Sequence, residues 1–284
     1  MSDKGENVKK PLCIYHHNCA DGFCAAWIFK NYADREHDFH PGIYQQEPPD
    51  VTGRDVYLVD FSYKRPVVEK MLETANRVVL IDHHKTAIED LQPLIDDKSI
   101  EALVDVEHSG AMLAWKWFNG NLSEPPELVK HIEDRDLWRF NLPFTREIQA
   151  NVFSYPYTFS AWDELMAGDV SRLAREGSAI ERKHHKDVAE LLGVTTRRML
   201  IGGYNVPIAN LPYTLVSDAA HKLGENEPFA GCYWDTPKGR VFGLRSSENG
   251  VDVSEIAKQY GGGGHAHAAG FTISHEAART LELP

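Results

Sequence analysis

Short apolar runs that end beside an acidic residue recur in the first half of the chain, and they constrain the fold more than any other feature. Such runs occupy residues 12–15, 56–59 and 78–81, and the second and third are followed directly by Asp60 and Asp82. Uninterrupted aliphatic and β-branched runs of this length are typical of parallel strands that helices cover on both faces. The sequence therefore predicts a parallel sheet whose strands end near carboxylates.

Helical patterns separate these runs and continue beyond them. Apolar spacing predicts a helix over residues 23–32, and Ser109 is the predicted N-cap of another helix. Residues 151–200 are mostly polar with helical spacing, and strands return after them. We therefore expect an α/β chain in three parts: a parallel-sheet domain with flanking helices over residues 1–150, a helical connector, and a smaller α/β domain with a mixed sheet over residues 201–284.

The overall charge and composition exclude several classes of protein. The 30 Lys and Arg residues against 42 Asp and Glu give a formal net charge of −12, which argues against a broad basic face for long nucleic acids but not against a short charged ligand. No stretch approaches the roughly 18–20 apolar residues of a membrane helix, and the N-terminus lacks the apolar core of a signal peptide. We therefore expect a cytoplasmic protein with no membrane partner.

Carboxylate and imidazole side chains gather at four places that follow predicted strands or open predicted helices. These places are residues 16–22, Asp60, residues 82–84 and residues 132–136. Because the carboxyl ends of parallel strands meet at one edge of a sheet, the four segments are expected to converge. Each segment alone could be a helix cap or a surface group, but together they favour a site for divalent transition ions. Two such ions can activate a water and stabilise the leaving oxygen in phosphoester hydrolysis.

A second cluster near the C-terminus has the composition of a phosphate-binding site. It combines an arginine and a serine with a glycine run and a histidine, namely Arg245, Ser246, Gly262, Gly263, Gly264 and His265. Glycines allow consecutive backbone N–H groups to face an anion, and a guanidinium can donate two hydrogen bonds to a phosphate. A flexible glycine linker is the alternative interpretation.

Together these residues resemble the motifs of the DHH phosphoesterase superfamily. The triplet Asp82-His83-His84 is similar to the motif that names the family, residues 16–22 to its motif I, and Asp60 to its motif II. The Gly-Gly-Gly-His run resembles the signature of the DHH-associated C-terminal domain. The resemblance implies that residues 1–150 form a catalytic metal-binding domain, that the connector over 151–200 carries no motif, and that residues 201–284 bind substrate.

The resemblance also implies a two-ion centre, usually holding Mn²⁺, with Zn²⁺, Fe²⁺, Co²⁺ or Mg²⁺ as alternatives. Asp21, Asp60, His83 and Asp134 would bind one ion, and Asp60 would bridge to the second. Asp136 competes with Asp134 for the motif IV position, although Asp134 lies nearer the preceding apolar residues.

The second ion would take a motif I histidine and the residue two positions before Asp21. His16 and His17 both lie near the expected histidine position, so the choice between them stays open. Cys19 stands where the family usually has an aspartate. A thiolate is a softer ligand than a carboxylate, so this site would favour Zn²⁺ or Fe²⁺ or be weak.

The remaining roles implied by the resemblance concern catalysis and substrate. His84 would face the scissile phosphate and Asp82 would orient the histidines. The substrate's phosphate or terminal nucleotide would be held by the C-terminal group, namely Arg245, Ser246, Gly262, Gly263, Gly264 and His265.

The expected activity is that of a nanoRNase-like phosphoesterase. It would hydrolyse phosphodiester or phosphomonoester bonds in short RNA or DNA oligonucleotides or in small nucleotides, and a homodimer is compatible with the sequence. A single-strand 5′–3′ exonuclease and a cyclic dinucleotide phosphodiesterase are alternatives within the family. A nucleotide-binding regulator with a degraded metal site is the alternative from another class, and the reason to consider it is Cys19.

Overall fold

A parallel sheet organises the first part of the chain. The structure is a computed structural model that describes residues 9–121 and 123–281, and it divides into two units between Ile180 and Glu181. The strands of the first unit are β1 (Leu12–His16), β2 (Asp38–Gly42), β3 (Asp55–Val59), β4 (Arg77–Asp82) and β5 (Glu101–Val104). Their order is β2-β1-β3-β4-β5, and every neighbouring pair is parallel. The predicted parallel sheet is confirmed.

Helices cover both faces of this sheet. The helices of this part of the chain are α1 (Ala20–Tyr32), α2 (Arg65–Leu72), α3 (Lys85–Asp96), α4 (Gly110–Asn119), α5 (Glu127–Asp136), α6 (Thr145–Val152), α7 (Phe159–Ala167) and the long α8 (Val170–Thr195), which continues past the division. Because strand side chains alternate between faces, Cys13 and Tyr57 pack in the cluster that includes α1 and α4, whereas Ile14 and Leu58 pack with α2 and α3. Among the described residues, no helix has both the length and the apolar composition needed to cross a bilayer.

The first unit differs from the sequence expectation in two places. Strand β2 has no apolar run to reveal it, and it pairs only with β1 at the sheet edge, where Pro41 is tolerated. Helix α1 begins at Ala20, three residues earlier than predicted, so Asp21 lies in its first turn. The predicted N-cap is confirmed, since the side chain of Ser109 accepts a hydrogen bond from the backbone N–H of Met112 at 3.3 Å.

The second unit is built on a mixed sheet, as the sequence predicts. Its strands are β6 (Thr196–Ile201), β7 (Tyr204–Asn210), β8 (Ala230–Thr236), β9 (Gly239–Arg245), β10 (Gly263–His265) and β11 (Ala268–Ile273), in the order β10-β11-β9-β8-β7-β6. Strands β7 and β8 pair in parallel and the other neighbours are antiparallel. The helices are α9 (Val216–Leu223), α10 (Val253–Lys258) and α11 (His275–Arg279), with a 3₁₀ turn at Tyr213–Leu215.

Two segments of the second unit adopt a different structure from the one expected. Residues 196–200, which the sequence assigns to the helical connector, lie in β6, because the turn at Gly202 and Gly203 pairs this strand with β7. Both glycines have positive φ angles, +56° and +85°, which suit a tight turn. The last two glycines of the run near the C-terminus, Gly263 and Gly264, lie in the hairpin strand β10 rather than in a linker.

Candidate metal centre

Three parallel strands deliver histidines and carboxylates to one edge of the first sheet. His16 is the last residue of β1, Asp60 follows β3 directly, and Asp82 is the last residue of β4. The carboxyl ends of parallel strands share one edge, so the fold alone brings these residues close together. The expected convergence of the segments around residues 16–22, 60 and 82–84 is therefore present in the structure.

One cluster forms around the imidazole of His83, which is almost fully buried. Its Nε2 atom lies 3.1 Å from Asp60 Oδ1, 3.5 Å from Asp136 Oδ2 and 3.8 Å from Asp21 Oδ2. Potential ligand atoms of Asp21, His83 and Asp136 all lie within 4.8 Å of one another. Carboxylate oxygens and an imidazole nitrogen at this spacing match the ligand set of a divalent transition ion.

The structure brings Asp136 to this cluster, and not Asp134, the residue chosen from the sequence. The Asp134 carboxylate accepts hydrogen bonds from the backbone N–H groups of Asn141 and Leu142, at 2.8 and 3.0 Å, and from Thr145 Oγ1 at 2.6 Å. Its oxygens are therefore occupied by the chain segment that follows α5. The proposed ligand in motif IV moves accordingly from Asp134 to Asp136.

A second cluster combines Asp60 with two histidines. Potential ligand atoms of His16, Asp60 and His84 lie within 4.8 Å of one another, and His16 Nδ1 is 3.5 Å from Asp60 Oδ2. His17, the alternative to His16, is exposed, and its backbone N–H donates to the carbonyl of Gly42 at 3.0 Å. Asp60 thus lies between the two clusters, at the position of a bridging carboxylate.

Cys19 occupies the N-cap position of α1, but its side chain makes no cap hydrogen bond. Burial, together with the negative charges of Asp60, Asp136 and Asp21, raises the pKa of the Cys19 thiol well above its ordinary value. The thiol is therefore neutral when no cation is present. A bound cation would be needed to stabilise the thiolate at this position.

Asp82 fixes the orientation of His84. Its Oδ1 atom accepts hydrogen bonds from the backbone N–H groups of His83 and His84, at 2.8 and 3.2 Å, and lies 2.7 Å from His84 Nδ1. Burial alone would lower the pKa of His84, but the charge and hydrogen bond of Asp82 raise it. A carboxylate behind an imidazole sets its tautomer and direction, which is the role expected for Asp82.

Two glycines let neighbouring helices approach Asp60 closely. A Cβ at Gly110 would lie 2.4 Å from Asp60 Cβ, and one at Gly22 would lie 2.6 Å from His16 Cβ and 3.0 Å from Asp60 Oδ2. Asp60 itself has a φ of +53°, a left-handed conformation that is rare outside glycine. Such strained residues persist only where the surrounding structure holds them, and they gather at functional sites.

Asp21 is held by the first turn of α4. The backbone N–H of Gly110 donates to Asp21 Oδ2 at 2.6 Å and that of Ala111 to Oδ1 at 3.0 Å. Sequence reasoning did not identify the residues beside this turn: Glu133 Oε1 accepts from the N–H of Ser109 at 3.3 Å and lies 2.7 Å from His108 Nδ1. The roles of Glu133 and His108 depend on contacts between residues that are distant in sequence. No local sequence pattern could therefore have identified these two residues.

The charges of the first cluster are unbalanced without a cation. Burial and the charges of Asp60 and Asp136 raise the pKa of Asp21 well above its usual value. Burial also raises the pKa of Asp136. Although burial alone would lower the pKa of His83, its hydrogen bond with Asp60 and the charges of Asp136, Asp60 and Asp21 raise it to about 10. A divalent cation would relieve this repulsion between carboxylates.

Several buried polar atoms in the same region also make no hydrogen bond. Among the described residues, His16 Nδ1, Asp60 Oδ2 and Asp82 Oδ2 are buried without a hydrogen bond. Leaving such atoms unsatisfied is costly unless a ligand or water binds them. Together with the donor types, this observation shows that the residues present fit one or more metal ions.

The C-terminal candidates meet across three neighbouring strands of the second unit. Arg245 in β9 pairs with Ala268 in β11, which in turn pairs with His265 in β10. Arg245 Nη2 donates to Ser217 Oγ at 2.9 Å. Ser246 is buried, and its Oγ lies 3.0 Å from Nδ1 of His267, a residue that the sequence analysis did not select.

The glycines of this hairpin also have packing roles. A Cβ at Gly262 would lie 2.1 Å from the Gly270 carbonyl oxygen, and one at Gly264 would lie 2.5 Å from that of Ala268. Gly263 pairs with Gly270 across the hairpin. Close approach of two backbones, and not only anion binding, therefore explains why this segment is rich in glycine.

Comparisons with known proteins give one family match and two curated relatives. The DHHA1 domain family matches residues 215–282. The chain is 26% identical over 288 residues to uncharacterized protein R106 of Acanthamoeba polyphaga mimivirus, covering 93% of this chain and 67% of that protein. It is 23% identical over 246 residues to oligoribonuclease NrnB of Bacillus subtilis (strain 168), covering 78% and 60%. The chain thus spans 67% and 60% of the lengths of these two relatives.

A solved structure shares the fold. The pGpG-specific phosphodiesterase PggH from Vibrio cholerae aligns with a TM-score of 0.51 at 15% sequence identity, over 95% of each chain. At this identity the similarity establishes the fold and not the substrate.

Proposed function

Because the chain belongs to the DHH phosphoesterase superfamily, we propose that it is a metal-dependent hydrolase of phosphoester bonds in short oligonucleotides or small nucleotides. The observation that carries this proposal is the convergence of three carboxylates on one imidazole nitrogen. Asp60, Asp136 and Asp21 all lie within 3.8 Å of His83 Nε2. Placing several charged groups together out of water is unfavourable, so this arrangement is not expected in a regulator whose metal site has degraded.

The candidate ligands divide into two neighbouring groups, each of which would bind one metal ion. Asp21, Asp60, His83 and Asp136 would hold one ion, while Asp60 with His16 would hold the second. Cys19 is the further candidate at the second position, where a soft ligand would favour Zn²⁺ or Fe²⁺ over Mn²⁺. When bound, the ions would supply an activated water and charge stabilisation for the leaving oxygen.

The protein's own groups would orient and bind the substrate. Asp82 holds His84 through its Nδ1 atom at 2.7 Å, so the opposite nitrogen of the ring would be the one to contact a phosphate oxygen. In the second unit, Arg245 and Ser246 with the hairpin of Gly262, Gly263, Gly264 and His265 would bind a phosphate or terminal nucleotide. Residues 1–150 would thus carry catalysis, residues 151–200 the connection, and residues 201–284 substrate binding.

Short substrates are favoured over long ones. The formal net charge of −12 disfavours retention of a long polyanion, and the relative NrnB is named as an oligoribonuclease. A single-strand 5′–3′ exonuclease and a cyclic dinucleotide phosphodiesterase are the other activities of this chemistry, and the same assay separates them.

The test is mononucleotide release from a 5′-phosphorylated RNA dinucleotide and from a long single strand, and ring opening of a cyclic dinucleotide to its linear form, with Mn²⁺ or with a chelator. We expect rapid Mn²⁺-dependent cleavage of the dinucleotide, which Asp60→Ala abolishes and the exposed control Asp34→Ala leaves intact. Preferential cleavage of the long strand or of the cyclic substrate would reassign the activity. Full turnover in chelator, or in Asp60→Ala, would contradict the metal-dependent mechanism.

A further inference from the structure

The segment joining α5 to α6 has an unusually strained backbone. Trp138, Phe140 and Phe144 have φ angles of +56°, +50° and +64°. Bulky side chains rarely adopt this left-handed conformation, because Cβ approaches the following carbonyl oxygen. Three such residues within seven positions indicate that the surrounding structure holds this segment in a strained conformation. Strain of this kind gathers at functional sites, so the segment is a candidate for a role beyond connecting two helices.

Asp134 holds this segment in place. Its carboxylate accepts the hydrogen bonds from Asn141, Leu142 and Thr145 described above, and its backbone carbonyl accepts from the N–H groups of Arg139 and Phe140 at 2.8 and 3.3 Å. Asp134 is itself buried. These hydrogen bonds hold the segment in one defined conformation, which is what a binding surface requires.

Rings and guanidinium groups alternate on this segment and its flanking helices. The Cζ atom of Arg135 lies 4.6 Å from the ring centroid of Trp138 and 5.6 Å from that of Phe153. The Cζ atom of Arg146 lies 3.7 Å from the centroid of Phe140 and 5.4 Å from that of Trp138. We call these five residues the arginine–aromatic stack.

The stack lies beside the candidate metal centre. Asp136, whose Oδ2 is 3.5 Å from His83 Nε2, precedes Trp138 by two residues, so their Cα atoms are at most about 7 Å apart. Phe153, at one end of the stack, is 49% exposed. The guanidinium groups of Arg135 and Arg146 supply positive charge that can pair with a phosphate.

We propose that the arginine–aromatic stack binds a nucleobase of the substrate and its neighbouring phosphate, an inference that rests on the proposed function and extends it. Every nucleobase has a π-face that stacks on aromatic rings and on guanidinium planes without regard to sequence. A guanidinium also donates paired hydrogen bonds to phosphate oxygens, so one arginine can contact both parts of a nucleotide. We therefore expect the protein to bind nucleotide substrates more tightly than phosphoesters that lack a base.

The experiment measures equilibrium binding in chelator, where turnover is suppressed, for a 5′-phosphorylated RNA dinucleotide and for the same molecule lacking one base. Stacking of one base corresponds to about tenfold or more in affinity, so the full-length chain should bind the complete dinucleotide about tenfold more tightly. Arg146→Ala and Phe153→Leu should each remove most of this difference. Arg146→Lys, which keeps the charge but not the plane, should lose the preference for the base while retaining part of the phosphate binding.

Controls separate a binding role from a structural one. Arg175→Ala, at an exposed arginine on α8, should leave both affinities unchanged. The Phe153→Leu variant changes a half-exposed ring, so it keeps the test available if Arg146→Ala unfolds. Equal affinity of the unaltered protein for the two ligands, no binding of either, or an equal loss for both in the folded variants would overturn the proposal. If the preference for the base is present but no phosphoester is hydrolysed, the proposed function fails while this inference stands.

Discussion

Asp134 and Asp136 lie two residues apart on the last turn of α5, yet their carboxylates contact different parts of the protein. Asp134 accepts hydrogen bonds from the backbone of the following segment, and Asp136 lies 3.5 Å from His83 Nε2. Residues i and i+2 are about 200° apart around a helix axis, so only one of them can face the sheet edge. This division of roles leads to the first prediction.

Asp136→Ala and Asp134→Ala should have opposite phenotypes. We expect Asp136→Ala to lose bound metal and activity while keeping its fold, because the change removes a charge that repels Asp21 and Asp60. Asp134→Ala should instead lower the free energy of unfolding by about 2–4 kcal/mol, since it leaves buried donors unsatisfied. Metal analysis of the purified variants and urea denaturation measure the two effects. A stable, metal-free Asp134→Ala protein would restore Asp134 as the ligand.

Metal binding should release protons. Without a cation the pKa of His83 is about 10, so the ring is protonated at neutral pH and a cation at Nε2 must displace that proton. The apparent affinity should therefore rise as pH increases towards about 10, by about tenfold per pH unit for each proton released. Titration calorimetry in two buffers of different ionisation enthalpy measures the number of protons. An affinity that does not change between neutral and alkaline pH would contradict the protonated state.

Gly110→Ala should disrupt the centre through Asp60. The new Cβ would lie 2.4 Å from Asp60 Cβ, and the resulting overpacking should lower the free energy of unfolding by about 1–3 kcal/mol and weaken metal binding. Gly193→Ala is the matched control, because no heavy atom lies within 4 Å of its Cβ position in α8. That change should stabilise the protein by about 0.5–1 kcal/mol. Equal effects of the two substitutions on metal binding would argue against close packing around Asp60.

His16→Ala and His17→Ala should separate the two candidate ligands of motif I. His16 Nδ1 lies 3.5 Å from Asp60 Oδ2, whereas His17 is exposed. Loss of one metal ion per chain is expected for His16→Ala, with little change for His17→Ala. Metal stoichiometry after dialysis against a fixed Mn²⁺ concentration provides the measurement. The reverse result would require the backbone after β1 to rearrange on metal binding.

Asp82→Asn should impair catalysis more than metal binding. The amide can present a donor where the carboxylate accepts from His84 Nδ1, so the ring would lose its preferred orientation. Turnover of the dinucleotide should fall about 10–100-fold while the metal content is retained. Asp34→Asn, on the surface, is expected to behave as the unaltered chain does. Parallel losses of metal and activity would instead make Asp82 a ligand.

Sequence patterns predicted the parts of the site that follow directly from strands. Asp60 and Asp82 come after apolar runs, and strand direction then fixes the edge at which they meet. The sequence analysis favoured Asp134 over Asp136 because Asp134 lies nearer an apolar run, but the structure places Asp136 beside His83. Proximity to an apolar run is a weaker guide than the direction of a residue around the helix. Helical periodicity shows that only one of the two faces the sheet, but not which one.

Other parts of the centre depend on contacts between distant segments. Glu133 supports the start of α4 by contacting Ser109, 24 residues away, and His108, 25 residues away. Strand β2 lacks an apolar run because it is an edge strand, and β10 is built of glycines whose close backbone pairing replaces side-chain packing. Local composition does not encode either arrangement.

The cluster consists of the imidazole of His83, which follows β4, and of carboxylates from α1, from α5 and from the end of β3. These elements lie between residues 20 and 136. A cation that joins them would act as a cross-link between segments that otherwise repel one another. Because such binding favours only the folded state, its free energy adds to that of folding. We therefore expect metal depletion to lower the free energy of unfolding without unfolding the protein outright, and so to shorten the lifetime of the chain as well as to stop its activity.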